Sequence, residues 1–72
     1  MIESAKPEDL LYIRTIQELS FQDPWSRTLL ENTLTQPRAM IRVLRSEEKP
    51  IGYSIAVYAA DECELLSIAV HP

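Results

Sequence analysis

The stretch Cys63-Glu64-Leu65-Leu66-Ser67-Ile68-Ala69-Val70-His71-Pro72 decides the fold of this chain. Most of its residues are apolar or β-branched, and a short run of that kind next to turn formers predicts a strand buried within a sheet. A buried strand normally has a neighbour on each side. The sequence stops at Pro72, before any following element can cover or pair with this strand. We therefore expect the 72 residues to form the front part of a larger domain.

Composition narrows the class of protein. Hydrophobic residues make up 46% of the chain and charged residues 25%, which is typical of a globular domain. The sequence contains neither an apolar run of the ~18 residues that span a membrane nor an N-terminal secretory signal. Its one cysteine excludes an internal disulfide framework and fits a reducing compartment. We expect a cytoplasmic protein with no membrane partner.

The net charge of −4 argues against nucleic acid as the main partner. Phosphate binding needs clustered Lys and Arg, whereas the seven basic residues here are scattered. The densest group, Arg38, Arg42 and Arg45, alternates with apolar residues and is predicted to lie on the solvated face of a strand. We therefore expect no nucleic acid partner.

The first half of the chain predicts a strand followed by two helices. Met1–Ala5 can form a short strand anchored by Ile2. Pro7–Ser20 predicts an amphipathic helix because apolar residues recur at a spacing of three to four. The predicted buried stripe of this helix contains Leu10, Ile13, Ile16 and Leu19, with Leu11 beside them. Arg27–Gln36 predicts the second helix, which buries Leu29, Leu30 and Leu34.

The corner between these helices has the sequence Phe21-Gln22-Asp23-Pro24-Trp25-Ser26. Pro24 turns the chain because it disfavours a helical conformation of the residue before it. Ser26 is placed as the N-cap of the second helix, and Trp25 and Leu30 are spaced as a hydrophobic staple across that cap. In one interpretation Phe21 and Trp25 only fill the corner, and in the other they also line a substrate site.

The second half of the chain predicts an antiparallel meander. Ala39–Arg45 and Ile51–Ala60 are predicted strands, and the short polar segment 46–50 joins them as a hairpin. Asp61 and Glu62 then turn the chain into the last strand, Glu64–Val70. The predicted order is β-α-α-β-β-β, an α+β fold with a mainly antiparallel sheet.

Few residues in the chain carry obvious chemistry. Cys63 and His71 are the only soft metal ligands, too few for a zinc site, so we expect no metal. Glu64 is expected to share one strand face with Leu66, Ile68 and Val70. A carboxylate on a buried face is a stronger general base because desolvation disfavours its charged form. The alternative is that Glu64 is a solvated residue at the strand end.

Three motifs together resemble the GNAT acetyltransferases. They are Phe21-x-x-Pro24-Trp25-Ser26, then Ile51-Gly52-Tyr53, then Glu62-x-Glu64-Leu65-Leu66-Ser67-Ile68-Ala69-Val70-His71-Pro72. Within that superfamily the chain is most similar to the ribosomal-protein-alanine N-acetyltransferases, which modify a protein N-terminus. The resemblance covers all 72 residues but only the first half of the family's domain.

The resemblance implies a cofactor, a partner and site residues. The cofactor is acetyl-CoA, whose pantetheine arm pairs with the backbone of the fourth strand, here at Ile68, Ala69 and Val70. The partner is an acceptor protein N-terminus, in this branch that of a ribosomal protein. By position, Phe21, Trp25 and Ser26 belong to the acceptor groove.

The resemblance also implies what the 72 residues lack. The pyrophosphate-binding loop that should follow Pro72 is missing, so residues 1–72 are expected to be the N-terminal part of a single domain and to be inactive alone. Glu64 lies where some GNAT enzymes place a general base, but the acid and base of the alanine-acetylating branch lie beyond Pro72.

A second hypothesis needs no enzyme. An uncovered apolar strand edge is a template for pairing with another chain. The chain could then be a non-enzymatic interaction module that pairs, or self-associates, through its exposed final strand.

Overall fold

The computed structural model describes residues 1–72 and contains two α-helices and four strands. The elements are β1 (Ile2–Ser4), a 3₁₀ turn (Pro7–Asp9), α1 (Leu10–Ser20), α2 (Arg27–Leu34), β2 (Ala39–Ser46), β3 (Lys49–Ala59) and β4 (Glu62–Val70). The predicted α+β class and element order are confirmed. Neither helix has the length and apolar character needed to cross a membrane.

The sheet is fully antiparallel, in the order β1-β2-β3-β4, and both helices pack on one of its faces. On β2 and β3, Ile41 lies opposite Ile55 and Val43 opposite Tyr53, so these four buried side chains share that face. The helices complete the core with Leu10, Ile13, Ile16 and Leu30. The other face of the sheet carries no element.

The buried stripe of α1 differs from the predicted one. Leu11 and Leu19 are exposed, and Gln17 is buried with only 1% of its surface exposed. At 100° per residue, Gln17 projects within the arc set by Leu10 and Ile13, whereas Leu11 and Leu19 project well outside it. The predicted burial of Leu11 and Leu19 is therefore wrong.

Helix α2 begins as predicted and ends earlier. The Ser26 hydroxyl accepts a hydrogen bond from the Leu29 backbone N–H at 3.1 Å, which confirms the N-cap. The helix ends at Leu34, two residues before the predicted end at Gln36. Leu29 is exposed, contrary to the prediction, and Thr33 is buried in its place. The Thr33 hydroxyl has a hydrogen-bond partner in the same helix, because it donates to the Leu29 carbonyl at 2.7 Å.

Strand β4 contains a β-bulge, which changes the sheet face to which the residues before it point. Ser67 lies opposite Ile55, but the next partner of β3, Ala56, lies opposite Leu65. Leu66 is the extra residue, because the single step from Ile55 to Ala56 on β3 corresponds to two steps on β4, from Ser67 to Leu65. As a result Glu64 lies on the helix-bearing face and Ile68 on the other. The prediction that Glu64 shares a face with Ile68 and Val70 is wrong.

The last strand is an edge strand with exposed side chains. Ile68 and Val70 are 59% and 60% exposed, so the prediction of a buried strand is wrong within these 72 residues. Both side chains lie on the helix-free face. Ile2 lies on that face too, opposite Leu44, and is mostly exposed, so it does not anchor β1 in the core as predicted.

An ion-pair network anchors β1 and the start of α1 to the end of β2. The Arg45 guanidinium donates to both oxygens of Asp9, at 3.0 and 2.6 Å, and lies 3.2 Å from the Glu3 carboxylate. Asp9 also accepts the Lys6 N–H at 2.9 Å. The hydrogen bonds from Arg45 hold the pKa of Asp9 below its ordinary value, although burial opposes them. The predicted solvation of Arg45 is wrong, because its side chain is 15% exposed.

Candidate functional site

One concavity of the chain, called here the corner groove, lies between the α1–α2 corner and β4. Its volume is about 680 Å³, within the usual range for ligand sites. One wall is formed by Gln17 with residues 20–25, and the other by residues 65–68 around the bulge. The lining contains one acidic residue, Asp23, and no Lys, Arg or His. The groove therefore favours neutral or cationic ligands.

The corner is held by a hydrogen bond that the sequence pattern did not predict. The Trp25 backbone N–H donates to Oε1 of Gln17 at 3.1 Å. Trp25 is half-buried and packs against the core, while Phe21 lies in the groove wall with 46% of its surface exposed. A glutamine within the apolar arc of α1 was the available signal for this contact. Trp25 mainly fixes the corner, and Phe21 faces the groove.

Gln17 has one unsatisfied polar atom. Its Nε2 is buried and has no hydrogen-bond partner, the one such side-chain atom in the chain. Because Oε1 accepts the Trp25 N–H, exchanging the amide oxygen and nitrogen would set two donors against each other. The orientation of the amide is therefore fixed. A buried donor without a hydrogen-bond partner lowers the free energy of unfolding by about 1–3 kcal/mol, which is large for a chain of this size.

The opposite wall of the groove is fixed by a pair of hydroxyl groups. The Tyr53 and Ser67 side-chain oxygens lie 2.7 Å apart, and Ser67 lines the groove directly beside the bulge. Tyr53 is buried on β3, on the helix-bearing face. This hydrogen bond ties β4 to the core where Leu66 interrupts the ladder.

The outer edge of β4 has backbone groups with no partner strand. The His71 N–H donates to the Ile51 carbonyl at 2.6 Å, which fixes the alternation of this antiparallel ladder. By that alternation the N–H and C=O of Ala69 point towards β3, opposite Tyr53, while those of Ile68 and Val70 point to the free edge. The edge can therefore pair with an extended ligand through Ile68 and Val70.

The structure brings together some of the residues singled out in the sequence. Phe21, Trp25 and Ile68 all line the corner groove. Ser26 is outside the lining, and its hydroxyl is occupied by the N-cap bond. Glu64 is exposed and also lies outside the lining.

The other cofactor candidates lie at the end of β4, with the Val70 side chain on the helix-free face and that of Ala69 on the helix-bearing face, opposite Tyr53. Ala69 and Val70, with Ile68, border a small apolar hollow of about 180 Å³ that also contains Gly52. No group of three or more His, Cys, Asp or Glu side chains is placed to hold a metal ion.

A four-stranded antiparallel meander backed by two helices, with a bulged fourth strand, is the front half of the GNAT acetyltransferase fold, and the predicted resemblance is confirmed. One particular protein that it resembles is the ribosomal-protein-S18-alanine N-acetyltransferase from Escherichia coli, with a TM-score of 0.87 and 26% sequence identity. The match covers 100% of this chain and 46% of that enzyme, so the chain spans less than half of its length. No family model and no curated protein sequence matches the chain.

Proposed function

We propose that residues 1–72 form the N-terminal part of a single protein N-terminal acetyltransferase domain that uses acetyl-CoA. The observation that carries the proposal is the free edge of β4 at Ile68 and Val70, which lies beside the corner groove. An acyl donor on that edge and an acceptor chain in the groove would approach each other along β4. The similarity to an enzyme that acts on a ribosomal-protein alanine supports the reaction class and a ribosomal-protein acceptor. We propose that the reaction takes place in the cytoplasm.

The residues present fit the pantetheine arm of acetyl-CoA. That arm is extended and carries amide groups, which can pair with a strand edge as an added strand would. Ile68 and Val70 would bind it through their backbone groups, and the small side chain of Ala69 leaves the neighbouring surface open. When bound, acetyl-CoA supplies a thioester acyl group that an amine can attack.

The groove residues have separate roles in this proposal. Phe21 supplies an apolar wall for the first side chain of the acceptor, and Trp25 holds that wall in place. Ser26 acts indirectly, by capping the helix that follows the corner. Glu64 is a candidate to take the proton of the acceptor amine, since the bulge turns it to the helix-bearing face, but the main acid and base are expected beyond Pro72.

Acetyl transfer by a chimaera tests the proposal. Residues 1–72 would be joined to the remaining part of the Escherichia coli enzyme and assayed with acetyl-CoA and a peptide that begins with alanine. We expect transfer by the chimaera and none by the 72 residues alone. A chimaera that melts cooperatively and binds acetyl-CoA but transfers nothing would overturn the proposal, as would steady turnover by the isolated 72 residues.

The exposed edge also favours a second candidate, an interaction module without catalysis. Ile68 and Val70 present apolar side chains next to unpaired backbone groups, which is a template for strand pairing. Under this candidate the purified chain forms a stable dimer whose β4 amides exchange slowly. Under the enzyme proposal any association of the isolated chain is incidental to its function. Replacing Ile68 and Val70 by Thr then suppresses the association and leaves the fold intact.

A further inference from the structure

We infer that Gln17, in the wall of the corner groove, binds the acceptor peptide by donating a hydrogen bond from its Nε2–H to a backbone carbonyl of that peptide. This inference rests on the proposed acceptor function and adds a specificity-determining residue to it. Gln17 is 1% exposed, lines the groove, and carries the one buried side-chain donor that the chain leaves unanswered.

The structural role of Gln17 accounts for only half of its amide. Oε1 holds the corner by accepting the Trp25 N–H, a role that a Glu side chain could also fill. Nε2 points away from that bond and makes none of its own. Buried donors are nearly always paired, so a lone one next to a concavity indicates an acceptor that arrives from outside.

The lining of the groove selects the chemistry of that acceptor. Its one ionisable side chain is the Asp23 carboxyl, and no cation is present to answer a ligand carboxylate or phosphate. An anionic oxygen would therefore be repelled, whereas a neutral carbonyl is not. A peptide N-terminus combines neutral carbonyls with a cationic or neutral amine, and it suits both Gln17 and Asp23.

Access to Nε2 requires a small rearrangement. The atom is buried in this structure, so the side chains around it must shift before a ligand oxygen can reach it. Phe21 and Leu66 line the groove and are 46% and 40% exposed, which leaves them free to move.

Peptide titration of the isotopically labelled 72-residue chain tests the inference by NMR. The probe is a five-residue peptide that begins with alanine, compared with versions in which one backbone amide is replaced by an ester, a weaker acceptor. We expect the Gln17 side-chain NH₂ resonances to move downfield with the all-amide peptide. One ester position should reduce that shift and weaken binding roughly three- to tenfold, the size of one hydrogen bond.

Two variants separate the donor from the corner contact. Gln17→Glu keeps an oxygen for the Trp25 N–H and loses the donor, and Gln17→Met loses both without adding charge. We expect both to bind the peptide roughly three- to tenfold more weakly than the wild-type chain. If both bind like the wild type, or if the Gln17 resonances stay fixed while other groove resonances move, the inference is overturned.

The proposed function can fail separately. If the peptide moves no groove resonance at any concentration, the acceptor site itself is wrong. If either variant does not fold, the wild-type NH₂ shift and the ester series decide the question alone.

Discussion

The side-chain oxygens of Tyr53 and Ser67 lie 2.7 Å apart and join β3 to β4 beside the bulge at Leu66. The bulge removes one residue from the ladder, so this hydrogen bond stabilises the segment that forms one wall of the groove. It also explains why an edge strand with exposed side chains keeps a defined register there.

Removing this hydrogen bond should destabilise the chain by about 1 kcal/mol. We expect Tyr53→Phe and Ser67→Ala each to lower the free energy of unfolding, and the double variant to lose less than the sum of the two. Urea denaturation of the four proteins gives the coupling free energy directly. Additive losses would mean that the two hydroxyl groups do not interact in solution.

The Asp9–Arg45 pair predicts a pH-dependent stability. Since the pKa of Asp9 is lower in the folded chain than its ordinary 3.8, the unfolded chain binds more protons between these two values. The stabilisation is complete well above pH 3.8 and is lost as the pH falls through the folded pKa. We expect Asp9→Asn to cost about 2 kcal/mol at neutral pH and progressively less in acid.

The exposed neighbour Glu8 supplies the control for this experiment. Glu8→Gln removes the same charge one residue away and should change the free energy of unfolding by less than about 0.5 kcal/mol. Denaturation midpoints of the three proteins between neutral pH and pH 3 separate the two effects. A cost of Asp9→Asn that does not decrease in acid would contradict the role assigned to the ion pair.

The turn between β3 and β4 stores backbone strain at Ala60. Its φ is +55°, a left-handed conformation that favours glycine. We expect Ala60→Gly to raise the free energy of unfolding by about 0.5–1 kcal/mol, because relief of strain exceeds the added entropy of the unfolded chain. Ala59→Gly, an exposed position within β3, should instead lower it by a similar amount. The same sign for both changes would refute this account.

The cofactor edge predicts a difference between two substitutions at Ile68. Proline removes the N–H that points to the free edge and leaves the ladder with β3 intact, whereas alanine keeps that N–H. In the chimaera we expect Ile68→Pro to weaken acetyl-CoA binding roughly tenfold and Ile68→Ala to weaken it far less. Calorimetric titration measures both, and equal affinities would exclude the Ile68 N–H as a contact.

Local patterns predicted most of the fold. The periodicity of α1, the Ser26 cap and the alternation in β2 each depend on neighbouring residues, and each agrees with the structure at the level of the element. The prediction that Ile2 anchors β1 was wrong because a three-residue strand can place its apolar residue on either face of the sheet. Its orientation depends on pairing with β2, where its partner Leu44 lies 42 residues further along the chain.

The site was less predictable, because it depends on two non-local features. The bulge at Leu66 has no distinct sequence signal, and one extra residue is enough to move Glu64 to the opposite face. The role of Gln17 could not be predicted, because a polar residue within an apolar stripe can be interpreted only when its hydrogen-bond partner, here the Trp25 N–H, is known.

Hydrogen exchange at single amides of β4 in the chimaera tests the central claim most directly, namely that this strand edge receives acetyl-CoA. We expect acetyl-CoA to slow exchange of the Ile68 and Val70 amides, which point to the free edge, and to leave that of Ala69, already bonded to β3, nearly unchanged. Binding of acetyl-CoA without protection of Ile68 and Val70, or with protection confined to Ala69, would contradict it.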